Sequence, residues 1–423
     1  MSFFRDKIRY VLHLLTRNKV IFENFSYVAL FQVLNLLFPL ITFPYLTRVL
    51  GQELYGLVIT AQILSSYCSI IVSFGFFSVS ARHISLNRDN KDKLSEIISS
   101  ILCVQFVLWI LSFVGYIGVV NMISIYKSHF LLFFFSFFLT LPNILFPQYY
   151  FQGIEKMKYI TLIQLIFQLV FVGLIFLVIK RASDYVYVPL LYSVGYLLGG
   201  IAAFYVIFVK HKIVFRIPSF RVMRFYIKDA SSIFATDAIC TIKDKLNYLL
   251  LGGMVSMGDV VTYDVGSKLT GLINKPIDII RTVIFPKMAR DKNDMQFKKI
   301  GLLILGILIL LVVVVNIFLP YIVYFLVGKH IYLLPVRLYL LAPIFLGISV
   351  YIAQCLLIAR GYNKYLLYSI IITTVVYLLL LCLYFFSGRL NTVTAFVSLT
   401  VLSFLVEVIY RLIVARRIFK GKL

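Results

Sequence analysis

Charged residues are scarce in this chain of 423 residues. Asp, Glu, Lys and Arg make up 14% of it, whereas apolar residues make up 61%. A soluble domain has about 25% charged and about 45–50% apolar residues. So apolar a chain has too little polar surface to cover itself in water, and a bilayer has to surround it. The composition predicts an integral membrane protein and argues against a soluble enzyme.

Several chemical patterns are also absent. The five cysteines lie in apolar stretches without Cys-x-x-Cys spacing, as small buried residues do. The five histidines lie far apart and predict no metal site. No Gly-x4-Gly-Lys-Ser/Thr loop occurs, so we expect no ATP hydrolysis. No polar segment is long enough for a soluble domain, and no cofactor is expected.

What the sequence has in abundance is long apolar runs. A membrane-spanning helix needs about 20 mostly apolar residues. Twelve runs meet this need, at roughly 24–47, 54–80, 94–118, 130–151, 158–179, 186–209, 229–253, 258–285, 301–327, 333–358, 364–386 and 392–415. The sequence therefore predicts an all-α membrane protein of about twelve transmembrane helices.

The net charge of +24 is arranged by side of the membrane. Lys and Arg occur in short clusters between the apolar runs, which indicates orientation in a bilayer rather than binding to nucleic acid. With the N-terminus in the cytoplasm, 29 Lys and Arg fall in cytoplasmic segments and 7 in the opposite ones. This bias predicts that both termini are cytoplasmic and that the number of spans is even.

The chain also resembles two copies of one plan. A Gly followed three residues later by a Lys ends the fourth span, at Gly153 and Lys156, and the tenth, at Gly361 and Lys364, 208 positions apart. Basic loops follow the second and the eighth spans about 206 positions apart. Such parallel repeats occur in transporters. We predict an N-terminal segment 1–21, an N-lobe 22–209, an inter-lobe loop 210–228, a C-lobe 229–415 and a tail 416–423.

Charged residues interrupt the seventh and eighth spans. A charge in mid-bilayer costs about 2.5–3.5 kcal/mol on insertion scales, so these side chains must face protein or a water-filled cavity. The basic members are Lys243, Lys245, Lys268, Lys275 and Arg281, and the acidic members are Asp237, Asp244, Asp264 and Asp278.

Helical geometry groups part of this set on one face. At about 100° per residue, Asp264, Lys268, Lys275 and Asp278 fall within about 80° of one another, and Arg281 lies off this stripe. The alternative is that Asp264–Lys268 and Lys275–Asp278 are ion pairs that only hold helices together.

The second span offers an equivalent, uncharged stripe. A shift of 206 positions takes Lys268 to Gln62 and Lys275 to Ser69, and Ser66 lies on the same face. Two polar stripes that meet would form a cavity. Asn35, in the polar first span, is either a gating residue or an interhelical hydrogen-bond partner.

Four stretches resemble a known family: Pro39 to Gly56, Phe151 to Glu155, Asp244 to Tyr263, and Phe285 to Met288. They are similar to the O-antigen and capsule repeat-unit flippases (Wzx-type), in the superfamily of multidrug, oligosaccharidyl-lipid and polysaccharide exporters. The twelve-helix, two-lobe layout matches over nearly the whole chain. Concentration of the charge in the C-lobe departs from the expected pattern.

The resemblance implies a V-shaped transporter of the bacterial inner membrane. It would move undecaprenyl-diphosphate-linked oligosaccharide between leaflets, driven by an H⁺ or Na⁺ gradient, and the polysaccharide polymerase of the same pathway would be a partner. We predict that the basic residues above, with Gln62, Ser66, Ser69 and Asn35, bind the substrate. Asp237, Asp244, Asp264 and Asp278 are the candidates for ion coupling.

Other functions fit the sequence less well. An exporter of cationic drugs would favour an acidic cavity, whereas the buried set here has five basic and four acidic members. An exporter of the peptidoglycan precursor remains an alternative within the superfamily. A membrane enzyme such as a polymerase would need a large outer loop, and a scaffold would not explain the costly buried charges.

Overall fold

The computed structural model describes residues 19–421 of the chain. The predicted terminal segments 1–21 and 416–423 lie partly outside this range. The described residues are almost entirely helical and contain no strand, which confirms the predicted all-α class. In chain order the α-helices are α1 Lys19–Ser73, α2 Phe76–Leu86, α3 Lys91–Met122, α4 Ser124–Ser128, α5 Phe130–Phe137, α6 Pro142–Leu145, α7 Gln148–Gly153, α8 Met157–Val178, α9 Val188–Phe204, α10 Phe220–Met254, α11 Met257–Asp291, α12 Asp294–Val327, α13 Leu334–Tyr339, α14 Ala342–Ile352, α15 Asn363–Phe386 and α16 Val393–Phe419. Short 3₁₀ and π segments extend some of them, including the π turns Tyr205–Lys210 and Ala353–Ile358.

The apolar content of these helices makes this a multi-pass membrane protein. Within residues 19–421, nine helical stretches are long and apolar enough to cross a bilayer. α10 and α11 are as long, at 35 residues each, but their charged residues lower their hydropathy. The first apolar stretch, Leu30–Leu86, overlaps the predicted span 24–47 and contains the span 54–80. The count of twelve and the cytoplasmic termini therefore stay predictions.

The helix ends follow from local sequence. Ser256 accepts a hydrogen bond from the Asp259 amide at the start of α11, and Asn293 accepts one from the Gln296 amide at the start of α12. Such side chains satisfy the amides that the first turn leaves unpaired. Gly328 caps the end of α12 with a φ of 80°, a conformation that suits glycine. Gly51, with φ 77° and ψ 164°, interrupts α1.

The described helices form two compact units. The first unit contains residues up to Phe43 together with Leu64–Ala238, and the second contains Pro44–Ile63 together with the residues from Ile239 onward. In the second unit, α16 packs against α14 and α15. The Pro44–Ile63 segment packs on the start of α11, where a Cβ on Gly56 would collide with the Met257 carbonyl oxygen. The predicted lobe boundaries are not the same as these divisions and stay a prediction.

The first unit depends on a close approach between α2 and α7. A Cβ on Gly153 would lie 2.6 Å from Ile84 Cγ2 and 2.9 Å from the Ala81 carbonyl oxygen. Small residues of this kind let helix backbones approach each other in membranes. Ile84 and Phe151 are fully buried in the same apolar cluster. The contact fixes the position of α7 and of the turn that follows it.

We expect Gly153→Ala to lower the free energy of unfolding by about 1–3 kcal/mol, the usual cost of overpacking. The matched control is Gly173→Ala in α8, where an added Cβ meets no atom within 4 Å. That change should be neutral or slightly stabilising, because Ala favours helix by about 0.8–1 kcal/mol. Thermal unfolding of both purified variants in detergent tests this. Equal midpoints for the two variants would contradict the packing described.

Candidate functional site

A polar cavity lies inside the second unit. Its volume is about 360 Å³, which is within the usual range for ligand pockets of about 300–1,000 Å³. Side chains from α10, α11, α14, α15 and α16, with one from α13, surround it. The lining residues are Lys243, Asp244, Ser267, Thr270, Gly271, Asn274, Lys275, Ile277, Asp278, Arg281, Tyr339, Leu346, Gly347, Val350, Tyr377, Thr400, Ser403 and Phe404.

α11 supplies most of the polar lining. Its polar lining residues recur every three or four positions from Ser267 to Arg281, so they share one side of the helix. Another side carries apolar residues that are at most 5% exposed: Val261, Val265, Leu269 and Ile273. An added Cβ on Gly271 would meet no atom within 4 Å, so the helix surface is open there. The sequence therefore makes α11 amphipathic with its polar side on the cavity.

Several polar atoms at the cavity lack a partner within the described protein. Arg281 Nη2 donates to Asp278 Oδ1 at 2.8 Å, but Arg281 Nε and Nη1 have no hydrogen-bond acceptor. Thr270 Oγ1 and Asn274 Oδ1 are buried and unpaired as well. Buried polar groups are nearly always hydrogen-bonded in native proteins, so a group of exceptions needs an explanation. A polar ligand or water in the cavity would supply the missing partners.

Lys243, on α10, lines the cavity and lies between two carboxylates. Its side chain is 8% exposed, and its Nζ is 3.5 Å from Asp244 Oδ1 and 3.5 Å from Glu407 Oε2. The same Nζ lies 5.5 Å from the centre of the Phe404 ring. The prediction that a charge in this span avoids lipid holds for Lys243. Its main buried partner, Glu407, comes from α16.

Glu407 belongs to a buried polar network. Arg411 Nη1 is 2.7 Å from Glu407 Oε1, and the same nitrogen donates to Ser349 Oγ at 2.8 Å. Arg411 Nε donates to Ser369 Oγ at 3.1 Å. α14, α15 and α16 are thus joined through one guanidinium, and Lys243 adds α10. Sequence reasoning counted Arg411 among residues at the cytoplasmic end, whereas it is 4% exposed within α16.

A second set of hydrogen bonds lies beside the cavity. Asn247 Oδ1 accepts from the Tyr377 hydroxyl at 2.6 Å, and its Nδ2 donates to Thr400 Oγ1 at 2.8 Å and to the Tyr263 hydroxyl at 3.2 Å. Tyr377 and Thr400 both line the cavity. The network therefore holds two lining side chains in place. Sequence reasoning missed Asn247, for which a lone polar residue in an apolar run was the only signal.

The predicted stripe on α11 divides in two. Lys275 and Asp278 line the cavity, and so does Arg281, which the helical projection placed off the stripe. Lys268 instead forms an ion pair with Asp264, whose Oδ1 accepts a hydrogen bond from the Tyr248 hydroxyl at 3.1 Å. Neither Lys268 nor Asp264 is part of the cavity lining. The ion-pair alternative describes this part of the stripe.

Other predicted residues lie away from the cavity. In the second unit, Lys245 and Gln62 are half-buried and do not line it. Ser66, Ser69, Asn35 and Asp237 belong to the first unit, where Asp237 is exposed.

The hydrogen bonds of Asn35 favour one of its two predicted roles. Its Oδ1 accepts from Gln164 Nε2 at 3.1 Å and from Gln168 Nε2 at 2.8 Å. Both glutamines are on α8. This geometry favours the interhelical hydrogen-bond role, while the substrate-binding assignments of the residues in the first unit stay predictions.

Metal chemistry finds no support in the described part of the chain. Residues 19–421 contain no cluster of three or more His, Cys, Asp or Glu side chains that could hold a metal ion. Cys68 and Cys355 are buried, and no disulfide forms among the described residues. Buried thiols without partners are inert packing residues.

The chain has relatives among known proteins. Residues 21–292, more than half of the chain, match the family described as "Polysaccharide biosynthesis protein". It is 24% identical over 267 residues to a protein of Escherichia coli (strain K12) described as "Putative O-antigen transporter", and 25% identical over 272 residues to one of Shigella dysenteriae with the same description. The matches cover 63% of this chain in both cases, and 64% and 67% of the two relatives.

The fold has close counterparts among solved structures. A multidrug resistance MATE family transporter of the MOP superfamily, in an inward-facing conformation, superimposes with a TM-score of 0.71 at 13% identity. The superposition covers 91% of this chain and 95% of that one. At this identity the likeness concerns the fold, which is the MATE-like fold of the MOP superfamily. The family match confirms the resemblance read from the sequence: the chain belongs to the polysaccharide biosynthesis protein family.

Proposed function

We propose that this transporter moves undecaprenyl-diphosphate-linked oligosaccharide repeat units, the precursors of O-antigen or capsule, across the bacterial inner membrane. The headgroup would pass from the cytoplasmic to the periplasmic leaflet, where the polymerase of the pathway would use it. Membership of the polysaccharide biosynthesis family supports this proposal, and so do the descriptions of the two relatives as O-antigen transporters.

The unpartnered guanidinium nitrogens of Arg281 are the observation that carries the proposal. Arg binds phosphate by charge-assisted hydrogen bonds, and its Nε and Nη1 here are two donors without acceptors among residues 19–421. Lys243 and Lys275 line the same cavity, so three cations face two carboxylates, Asp244 and Asp278. A diphosphate fits this balance of charge better than a cationic drug does.

The lipid part of such a substrate needs no protein cavity. A diphosphate and its sugars cannot enter hydrocarbon without a large cost, whereas a polyprenyl chain is as apolar as the lipid tails. The protein has only to solvate the headgroup. Thr270, Asn274 and Ser403 supply neutral hydrogen-bonding groups that suit sugar hydroxyls.

Coupling to an ion gradient would use the acidic side chains. Asp278 is held by Arg281 at 2.8 Å, so a phosphate that draws the guanidinium away would release this carboxylate to bind H⁺ or Na⁺. Asp244 lies on the same cavity beside Lys243. Asp264 and Asp237, outside the cavity lining, remain weaker candidates for this role.

A gene deletion tests the proposed function. We expect the deletion strain to lose surface polysaccharide and to accumulate the lipid-linked repeat unit on the inner leaflet, measured by mass spectrometry of extracted lipids. A copy of the gene on a plasmid should reverse both effects. Sensitivity to cationic drugs without any accumulated glycolipid would show instead that the protein exports drugs.

A further inference from the structure

A second basic pocket lies in the first unit, far along the chain from the cavity residues. Its volume is about 400 Å³, and it is lined by Arg88, Asp89, Lys91, Leu94, Tyr150, Ile154, Lys156, Lys210, His211 and Ile213. We call it the lysine pocket, after Lys91, Lys156 and Lys210. The proposed transport function makes no use of these residues.

The three lysines sit at the ends of apolar helices. Lys91 begins the stretch Lys91–Met122, Lys156 directly precedes Met157–Val178, and Lys210 ends Ala182–Lys210. Helix ends of this kind lie at the level of lipid headgroups. The charge count predicts that all three are on the cytoplasmic side. The pocket is therefore at the depth where the phosphate groups of membrane lipids are found.

The basic charge in the pocket is largely uncompensated. Arg88 is paired with Glu155 at 2.9 Å, whereas Lys91, Lys156 and Lys210 form no ion pair among the described residues. Asp89 is the one acidic residue in the lining of the pocket. Two basic residues nearby, Arg216 and Lys93, are by contrast paired with acids. Arg216 forms an ion pair with Asp92 at 2.6 Å, and Lys93 forms one with Glu96 at 2.5 Å. The lysine pocket is left with a net positive charge that a phosphate would neutralise.

The charges of the three lysines all act on the ring of His211. Burial, followed by the charges of Lys156, Lys210 and Lys91, lowers the pKa of His211, so its ring is neutral at pH 7. His211 Nδ1 and the Tyr150 hydroxyl are hydrogen-bonded at 2.8 Å. With the phenol as donor, the neutral ring carries its proton on Nε2 and adds an uncharged donor to the pocket.

Strained backbone borders the pocket on two sides. Glu155 has a φ of 58° and Lys212 a φ of 56°, and both are left-handed residues other than glycine. Such a conformation is unfavourable and persists where the surrounding structure demands it, often at ligand sites. The turn at Glu155 follows the tight α2–α7 contact at Gly153 and places Lys156, and the turn at Lys212 follows His211. The fold thus holds two lining segments in unfavourable conformations.

We propose that the lysine pocket binds the phosphate group of an anionic lipid at the membrane surface. The same chemistry is offered by the phosphodiester of a bulk anionic lipid and by a polyprenyl diphosphate. Lys91, Lys156 and Lys210 neutralise the phosphate, and His211 donates a neutral hydrogen bond. The pocket is separate from the second-unit cavity in sequence and in lining.

The test uses the full chain in detergent with farnesyl diphosphate, a short polyprenyl diphosphate, as the probe. All proteins carry Lys275→Gln and Arg281→Gln, so that the cavity contributes no phosphate binding and failure of the transport proposal does not affect the result. We expect Lys91→Gln/Lys156→Gln/Lys210→Gln to raise the Kd at least tenfold. The matched control, Lys93→Gln/Lys158→Gln/Arg216→Gln, removes three positive charges from nearby positions outside the lining and should change the Kd less than twofold.

Two results would overturn the proposal: an unchanged Kd in the pocket variant, or an equal loss in the control. If the pocket variant does not fold, His211→Gln gives the same test with a smaller expected loss of about threefold. Nanodiscs identify the source of the phosphate. If phosphatidylglycerol in the nanodisc abolishes the pocket-dependent binding of the probe, the site belongs to bulk anionic lipid. If the probe still binds in the presence of phosphatidylglycerol, the site belongs to the polyprenyl diphosphate.

Discussion

Replacing Lys275 and Arg281 together by Gln is expected to stop surface polysaccharide while the protein stays in the membrane at its normal level. The change leaves Lys243 facing Asp244 and Asp278, so the cavity becomes net negative and repels a diphosphate. Charge-assisted hydrogen bonds contribute about 1.5–3 kcal/mol each. Loss of the two donors on Arg281 alone corresponds to a fall of at least one hundredfold in the translocation rate, measured on labelled glycolipid in proteoliposomes.

The same helix offers a control for this double variant. Arg290 also lies on α11, but its side chain is 80% exposed and pairs with the adjacent Asp291 at 2.8 Å. Arg290→Gln should leave the surface polysaccharide unchanged. Arg281→Lys keeps the charge and loses the two unpartnered guanidinium donors, so an intermediate rate is expected. Normal polysaccharide in the Lys275→Gln/Arg281→Gln strain would rule out a substrate-binding role for this face of α11.

Removing the carboxylate of Glu407 should cause the largest loss of stability. Glu407→Met leaves two buried cations, Lys243 and Arg411, without their shared partner. Breaking a buried ion pair on one side costs about 3–5 kcal/mol, because a charge remains buried and uncompensated. Arg411→Met should cost less, since Lys243 still balances Glu407 at 3.5 Å. Unfolding in mixed micelles with increasing SDS measures the free energy of each variant.

The order of these two effects is what the geometry predicts. Arg416→Met, at an exposed position of α16, serves as the control and should be close to wild type. If Arg411→Met costs more than Glu407→Met, the carboxylate is not the shared centre of the network. If neither differs from Arg416→Met, the buried charges are compensated by something other than the contacts described.

Hydrophobicity located the helices well because it is a local property. The predicted runs at 158–179, 301–327 and 364–386 correspond to α8, α12 and α15. Charge in the seventh and eighth runs pointed to α10 and α11, and Lys243, Lys275 and Asp278 line a cavity there. The cost of a charge in lipid does not depend on which helix lies opposite.

The partners of those charges could not be read from the chain. Lys243 meets Glu407 across 164 positions, and Asn247 meets Tyr377 across 130. No periodicity relates such positions. Arg281 was misplaced for another reason: the projection describes where a Cβ points, while a long guanidinium side chain reaches back one turn to Asp278. The lysine pocket was missed because its residues were counted only as orientation signals.

The Arg411–Glu407 network has a consequence for how the chain is made. Lys243 is synthesised 164 residues before Glu407, so α10 enters the membrane before this partner of Lys243 exists. Ser349 and Ser369 also precede the guanidinium that binds them. Until α16 arrives, α10 carries a lysine that costs about 2.5–3.5 kcal/mol in lipid. A nascent chain stopped before Glu407 would therefore expose a marker of incomplete assembly that membrane quality-control proteases could recognise.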